Sequence, residues 1–226
     1  MNYQILYPEA FPIIECNLNR GEKIKAESDA MIAMSSTIDV EGKMEGGFFK
    51  GLMRKVLTNE SMFFQELIAN RGSGKVLLGH ALPGGILDIE LDGSYGLTIQ
   101  KDGFLASTEG INVDTKVQNL SQGLFSGEGL FVLNATGKGV VFVSSYGVIH
   151  PITLSDGEEF IIDNGHLVAW CDYMHYSIEK ASKGWISSMT SGEGLVCRFR
   201  GPGTILIQTR NPSSFEAWIR SIVPSK

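Results

Sequence analysis

Cysteine is scarce in this chain, and the three present, Cys16, Cys171 and Cys197, are scattered and odd in number. That excludes a disulfide framework, and the lack of close Cys/His spacing excludes a zinc-ribbon or finger site. Thiols buried as small hydrophobes in a reducing compartment are the expected reading. Basic charge is also short, with 19 Lys and Arg against 25 Asp and Glu and a formal net charge of −6. A general nucleic-acid binder needs a basic footprint to displace counterions, so no nucleic-acid partner is expected. No apolar run approaches the length of a membrane-spanning helix. The opening MNYQILYPEAFPII lacks the charged and long apolar regions of a secretory signal, so a cytoplasmic location is expected.

What the chain has is glycine, 27 residues of it, and the glycine is periodic. Gly201-Pro202-Gly203 precedes the apolar run Ile205-Leu206-Ile207. Gly137-Lys138-Gly139 precedes Val140-Val141-Phe142-Val143, and Gly72-Ser73-Gly74 precedes Val76-Leu77-Leu78. The pairs begin at 72, 137 and 201. Upstream of them stand Asn59-Glu60-Ser61, Gly127-Glu128-Gly129 and Gly192-Glu193-Gly194. A second element recurs in step: Asp29-Ala30-Met31-Ile32-Ala33, Asp102-Gly103-Phe104-Leu105-Ala106 and Asn164-Gly165-His166-Leu167-Val168-Ala169. Fixed-period self-similarity marks a fold of stacked units, none able to bury its apolar face alone. The expected architecture is all-β, a double-stranded β-helix or sandwich-like body of three pseudo-repeats in one domain. The repeats span roughly 10–80, 81–143 and 144–210.

Two stretches fall outside the repeat. In residues 46–57, Phe48, Phe49, Leu52, Met53 and Val56 fit one face of a short helix, with Lys50, Arg54 and Lys55 on the other side. This helical insertion is a candidate contact surface, either packed over a sheet or lying on a membrane surface as a peripheral contact. At the end of the chain, Ser213-x-x-Glu216 has the form of a capping box. Phe215, Trp218, Ile219 and Ile222 then make an apolar stripe, which predicts a helix over 213–223 that closes the body or meets another subunit.

Candidates for chemistry are few. Gly72-Ser73-Gly74-Lys75 and Gly137-Lys138-Gly139 resemble phosphate-loop fragments, but neither completes the motif and both precede strands. Hairpin turns explain them better. His150, His166 and His175 are the weak alternative for a cupin-like metal or small-molecule site inside the β-body. They lack His-x-His spacing, and no metal or other cofactor is expected. No serine sits in G-x-S-x-G, and no cysteine has an identifiable histidine partner, so a non-enzymatic protein is expected. Arg198 and Arg200 form a basic strand face, a second candidate contact surface.

Gly201-Pro202-Gly203 followed by Gln208-Thr209-Arg210, with Gly127-Glu128-Gly129 and Tyr146-Gly147 upstream, resembles a bacterial family of unknown function. That family is related to the altered-inheritance-of-mitochondria biogenesis proteins and is grouped by fold with the tryptophan RNA-binding attenuator protein. The resemblance runs from about Cys16 to Arg210. It implies a repeat-built β-body and homo-oligomers, with these motif residues serving structure, and it brings no catalytic residues. The mitochondrial relatives are associated with inner-membrane organisation, so what the resemblance implies for this chain is a scaffold-like role. The partner is left unidentified.

Overall fold

In the computed structural model, residues 1–43, 64–118, 130–180 and 195–223 are described. Short apolar alternations broken by glycine turns dictate strands, and the described residues hold eighteen strands and one α-helix. After β1 (Asn2–Leu6), a first unit runs β2 (Ile13–Leu18), β3 (Lys23–Glu27), β4 (Met31–Met34), β5 (Asp39–Lys43), β6 (Phe64–Ile68) and β7 (Gly74–Gly79). The second runs β8 (Ile86–Asp92), β9 (Leu97–Gln100), β10 (Phe104–Thr108), β11 (Ile111–Gln118) and the long β12 (Leu130–Ser144). The third runs β13 (Ile149–Leu154), β14 (Glu159–Asp163), β15 (Leu167–Cys171), β16 (His175–Lys180), β17 (Leu195–Arg200) and β18 (Gly203–Gln208). The helix α1 (Pro212–Ile222) follows.

All three units share one antiparallel pairing scheme. Strand one pairs with strand six, as β2 with β7 and β13 with β18. Strand two pairs with strand five, as β3 with β6 and β14 with β17. Strand three returns to six, and strand four to five. In the second unit β12 serves as both five and six, its halves meeting at Gly137 and Gly139, and it takes β8, β9, β10 and β11 as partners. Strand three carries a register shift in every unit, between Met31 and Ala33, Phe104 and Ala106, and Leu167 and Ala169. This is the element that repeats in the sequence as Asp29–Ala33 and its two copies.

The first turn of each unit needs one residue in the left-handed region, and glycine fills it each time: Gly21 (φ 87°), Gly93 (φ 93°) and Gly157 (φ 75°). In the outer units a glutamate locks the same turn. Glu22 Oε2 accepts from Asn19 N at 2.7 Å, and Glu158 Oε2 accepts from Ser155 N at 2.8 Å.

Neighbouring units join by one further pairing. Strand three of the later unit lies against strand two of the earlier one: β10 on β3, and β15 on β9. The apolar core is correspondingly divided into three clusters that borrow from one another. The first, around Ile14, Leu67 and Leu78, takes in Phe142 and Leu105 of the second unit. The second, around Leu91, Phe104 and Val141, takes in Phe64 and Val168. The third is built on Trp170, Phe199, Leu154 and Ile205, with Val132 of the second unit. Each cluster is closed by side chains from a neighbouring unit, as expected for units that cannot bury their apolar face alone.

Candidate functional site

The strongest motif of the sequence is a bracket at the mouth of the junction between the second and third units. Tyr146-Gly147, between β12 and β13, lies against Gln208-Thr209-Arg210 at the end of β18. Tyr146 N donates to Gln208 Oε1 at 2.8 Å, and Arg210 N donates to Tyr146 O at 3.2 Å. Thr209 Oγ1 accepts from Val148 N at 2.9 Å. Gln208 also turns the other way. Its Nε2 donates to Gly165 O at 3.0 Å, and its carbonyl accepts from His166 Nδ1 at 2.7 Å. Gly147 sits at φ 79°, and a Cβ there would collide with Thr209 Oγ1, so glycine is required twice over.

Behind the bracket is a cavity of about 180 Å³, lined among others by His80, Gln100, Asp102, Asn164, Gln208 and Asn211. Its amides are largely engaged with one another or with backbone. Gln100 Nε2 donates to Asn164 Oδ1 at 2.9 Å, and Asn211 Oδ1 accepts from Ser213 N at 2.9 Å at the start of α1. His80 differs: its buried Nδ1 has no close hydrogen-bond partner, and burial pulls its pKa below the usual imidazole value against the opposing pulls of Asp102 and of the backbone at Ser145 and Leu82. Asp102 also acts on the first unit. Burial first, then the charges of Asp102 and Asp29, push the Glu27 carboxyl up to about 7, with Lys101 opposing. Among the described residues, no three of His, Cys, Asp and Glu come together to hold a metal ion.

Comparison with known proteins carries the reading to the family level. The family model for mitochondrial biogenesis AIM24 matches residues 3–210. This chain belongs to the AIM24 family. Within it, the chain is 32% identical over 232 residues to the uncharacterised protein M6_Spy0233 of Streptococcus pyogenes serotype M6, covering 100% of this chain and 92% of that protein. The crystal structure of protein SPYM3_0169 from Streptococcus pyogenes aligns with a TM-score of 0.81 at 30% identity, covering 98% of this chain and 99% of the other. The AIM24 match ends on Arg210, the last residue of the bracket, and α1 lies beyond it.

In this AIM24 chain the residues singled out from sequence are placed as follows. Gly201, Pro202 and Gly203 form the turn between β17 and β18, with a cis bond at Gly201–Pro202. Gly203 sits at φ 150°, and a Cβ there would also approach Met174 Cγ to 2.5 Å, so backbone conformation and packing together account for that glycine. His150 lies opposite Ile207 in one sheet and His175 opposite Arg200 in another, while His166 is tied to Gln208. His150 and His166 thus both border the end of β18, and His175 lies in a different sheet. Arg198 is committed within its own sheet, its Nε to Glu179 Oε1 at 3.0 Å and its Nη1 to Glu159 Oε2 at 3.5 Å, while Arg200 is exposed. Cys16, Cys171 and Cys197 are free and buried, and burial raises the thiols of Cys16 and Cys197 to about 12. Lys50, Arg54 and Lys55 of the insertion, and Gly127, Glu128 and Gly129, lie outside the described residues.

The capping box needs correction. Asn211, not Ser213, is the N-cap, with Pro212 in the first turn, and Glu216 pairs with Arg220 instead of reaching back. Pro212 has no N–H to cap, and the asparagine ahead of it is well placed to accept from the next two amides. The helix also covers less than its stripe suggested. It has no buried residue, Trp218 is 56% exposed, and its aromatic contacts are Phe215 on Tyr146 and Phe215 on Trp218. Sequence reading missed His80, Asn164 and Asn211 as cavity residues. Only a contact map could assemble them, since each sits in a different linker or turn.

Proposed function

We propose that this AIM24-family chain is a non-enzymatic, cytoplasmic scaffold or binding module that works as a homo-oligomer. One observation carries the reading: an amphipathic helix ends the body with its apolar stripe, Phe215, Trp218 and Ile222, in solvent. An eleven-residue helix is marginal without tertiary cover, so such a stripe is a surface made to be covered. Arg200 and the basic insertion at Lys50, Arg54 and Lys55 are further proposed contacts, supported by the exposure of the first and the charge of the second. The non-catalytic part is supported by the cavity amides, which are spent on one another and on backbone. Kinship in fold with the attenuator protein belongs to the same proposal and rests on the repeated antiparallel unit.

Sedimentation of the full chain across a micromolar concentration series tests this. An oligomer whose mass does not fall on dilution supports the reading, and a monomer throughout contradicts it. A second reading, a small-molecule binder, rests on the unpartnered His80 Nδ1 in the junction cavity. Native mass spectrometry of the purified chain checks it. A retained small molecule that His80→Leu loses supports the second reading, and its absence from the wild-type chain removes it.

A further inference from the structure

The two junctions between units are built from the same parts and differ at one side chain that can lose a proton. In each, strand two of the earlier unit pairs with strand three of the later one. Ala26 stands opposite Ala106 where β3 meets β10, and Ile99 opposite Ala169 where β9 meets β15. A 3₁₀ turn enters strand three in both, Lys101–Gly103 in the first and Asn164–His166 in the second. The residue that ends strand two beside that turn is Glu27 in the first junction and Gln100 in the second.

Gln100 shows what the position does. Its Nε2 donates to Asn164 Oδ1 at 2.9 Å and reaches the Asn164 carbonyl at 3.4 Å, which ties strand two to the turn of the next unit. An amide keeps its donor at every pH. A carboxyl in the equivalent place has a donor only while protonated, and once ionised it only accepts. Glu27 can make the tie in one protonation state and not in the other.

The charges facing Glu27 are Asp29, from the turn after β3, and Lys101 and Asp102, from the 3₁₀ turn. On β6 Phe64 stands opposite it, and Gln65 Nε2 donates to its backbone carbonyl at 2.9 Å. Lys25 of its own strand lies over the Phe64 ring, 6.0 Å from the centroid. Two carboxylates against one ammonium oppose a further negative charge on a half-buried side chain, in keeping with a carboxyl held up at about 7.

We propose that Glu27 is a proton-operated clasp between the first and second units. Protonated, it donates to the Lys101–Gly103 turn as Gln100 donates to Asn164. Ionised, it loses that donor and sets a negative charge beside Asp29 and Asp102, so β10 parts more readily from β3. The parting opens the seam where Leu105 and Ala106 complete the first apolar cluster. The closed junction holds the proton more tightly than the open one. Closure is therefore favoured below the ordinary glutamate range, and the advantage is lost as pH rises through about 7.

Amide hydrogen exchange of the full chain between about pH 5 and pH 8 tests this, each amide being referred to its intrinsic exchange rate at that pH. Opening at 24–26 and 106–108 should rise by about tenfold or more across the range, while 97–99 and 169–171 change little. Glu27→Gln copies the second junction and should abolish the rise, with the circular dichroism spectrum unchanged. Gln100→Glu should confer a rise on 97–99 and 169–171. A flat response at the first junction of the wild type, or an equal rise at both junctions, would overturn the clasp. So would a rise that Glu27→Gln keeps, or a second junction that stays flat in Gln100→Glu.

Discussion

Glu27 holds a carboxyl in a half-buried place beside Asp29 and Asp102, and its raised pKa of about 7 sets a pH signature. The native state binds that proton more tightly than the unfolded chain, so the contribution favours folding below the ordinary glutamate range. It is lost as pH rises through about 7. Melting of Glu27→Gln and wild type should therefore agree most closely near pH 4, and the variant should be the more stable by pH 8; a constant difference would refute the assignment. Gln208 offers a second check. Its amide satisfies Tyr146 N and Gly165 O at once, so Gln208→Ala leaves two polar groups without their partner. Denaturant melts should show a loss of about 1–3 kcal/mol for each group left unpaired and desolvated. Trp170, 1% exposed and edge-on to Tyr176 and Phe199, should cost about 3–5 kcal/mol as Trp170→Ala.

Among the elements, strands were more legible than the helix. The recurring Asp/Asn–Ala stretches mark the strand-three register shift, and Leu18-x-x-Gly21-Glu22 and Leu154-x-x-Gly157-Glu158 mark the first turns. Both are local features, set by glycine conformation and a side chain reaching three residues back. Pro151 in the edge strand β13 was readable for the same reason, because proline cannot serve a central ladder. The helix was visible through its stripe, but not its degree of cover, since periodicity reports a face and says nothing of what meets it. Phe215→Ser with Trp218→Glu should lower the mass seen in sedimentation, because the stripe is the surface proposed to be covered. The variant should keep its circular dichroism spectrum, because α1 buries nothing in the core. A large loss of stability would show that the helix closes the body after all.

For the whole molecule, three copies of one pairing scheme, joined strand three to strand two, account for the divided core and for the glycine that simulates phosphate loops. The copy number could be read from spacing alone. The junction cavity could not, because His80, Asp102, Asn164 and Asn211 come from separate linkers and turns and carry no shared spacing. Nor could the sheet edge at β4, because β4 has the same sequence pattern as the buried β10 and β15 and differs, among the described residues, in lacking a second neighbour. Amide hydrogen exchange tests the joining of the units directly. Amides of β10 and β15 should be protected at every protein concentration, because each strand is paired on both sides, once within its own unit and once with its neighbour. Rapid exchange in either strand would contradict the account.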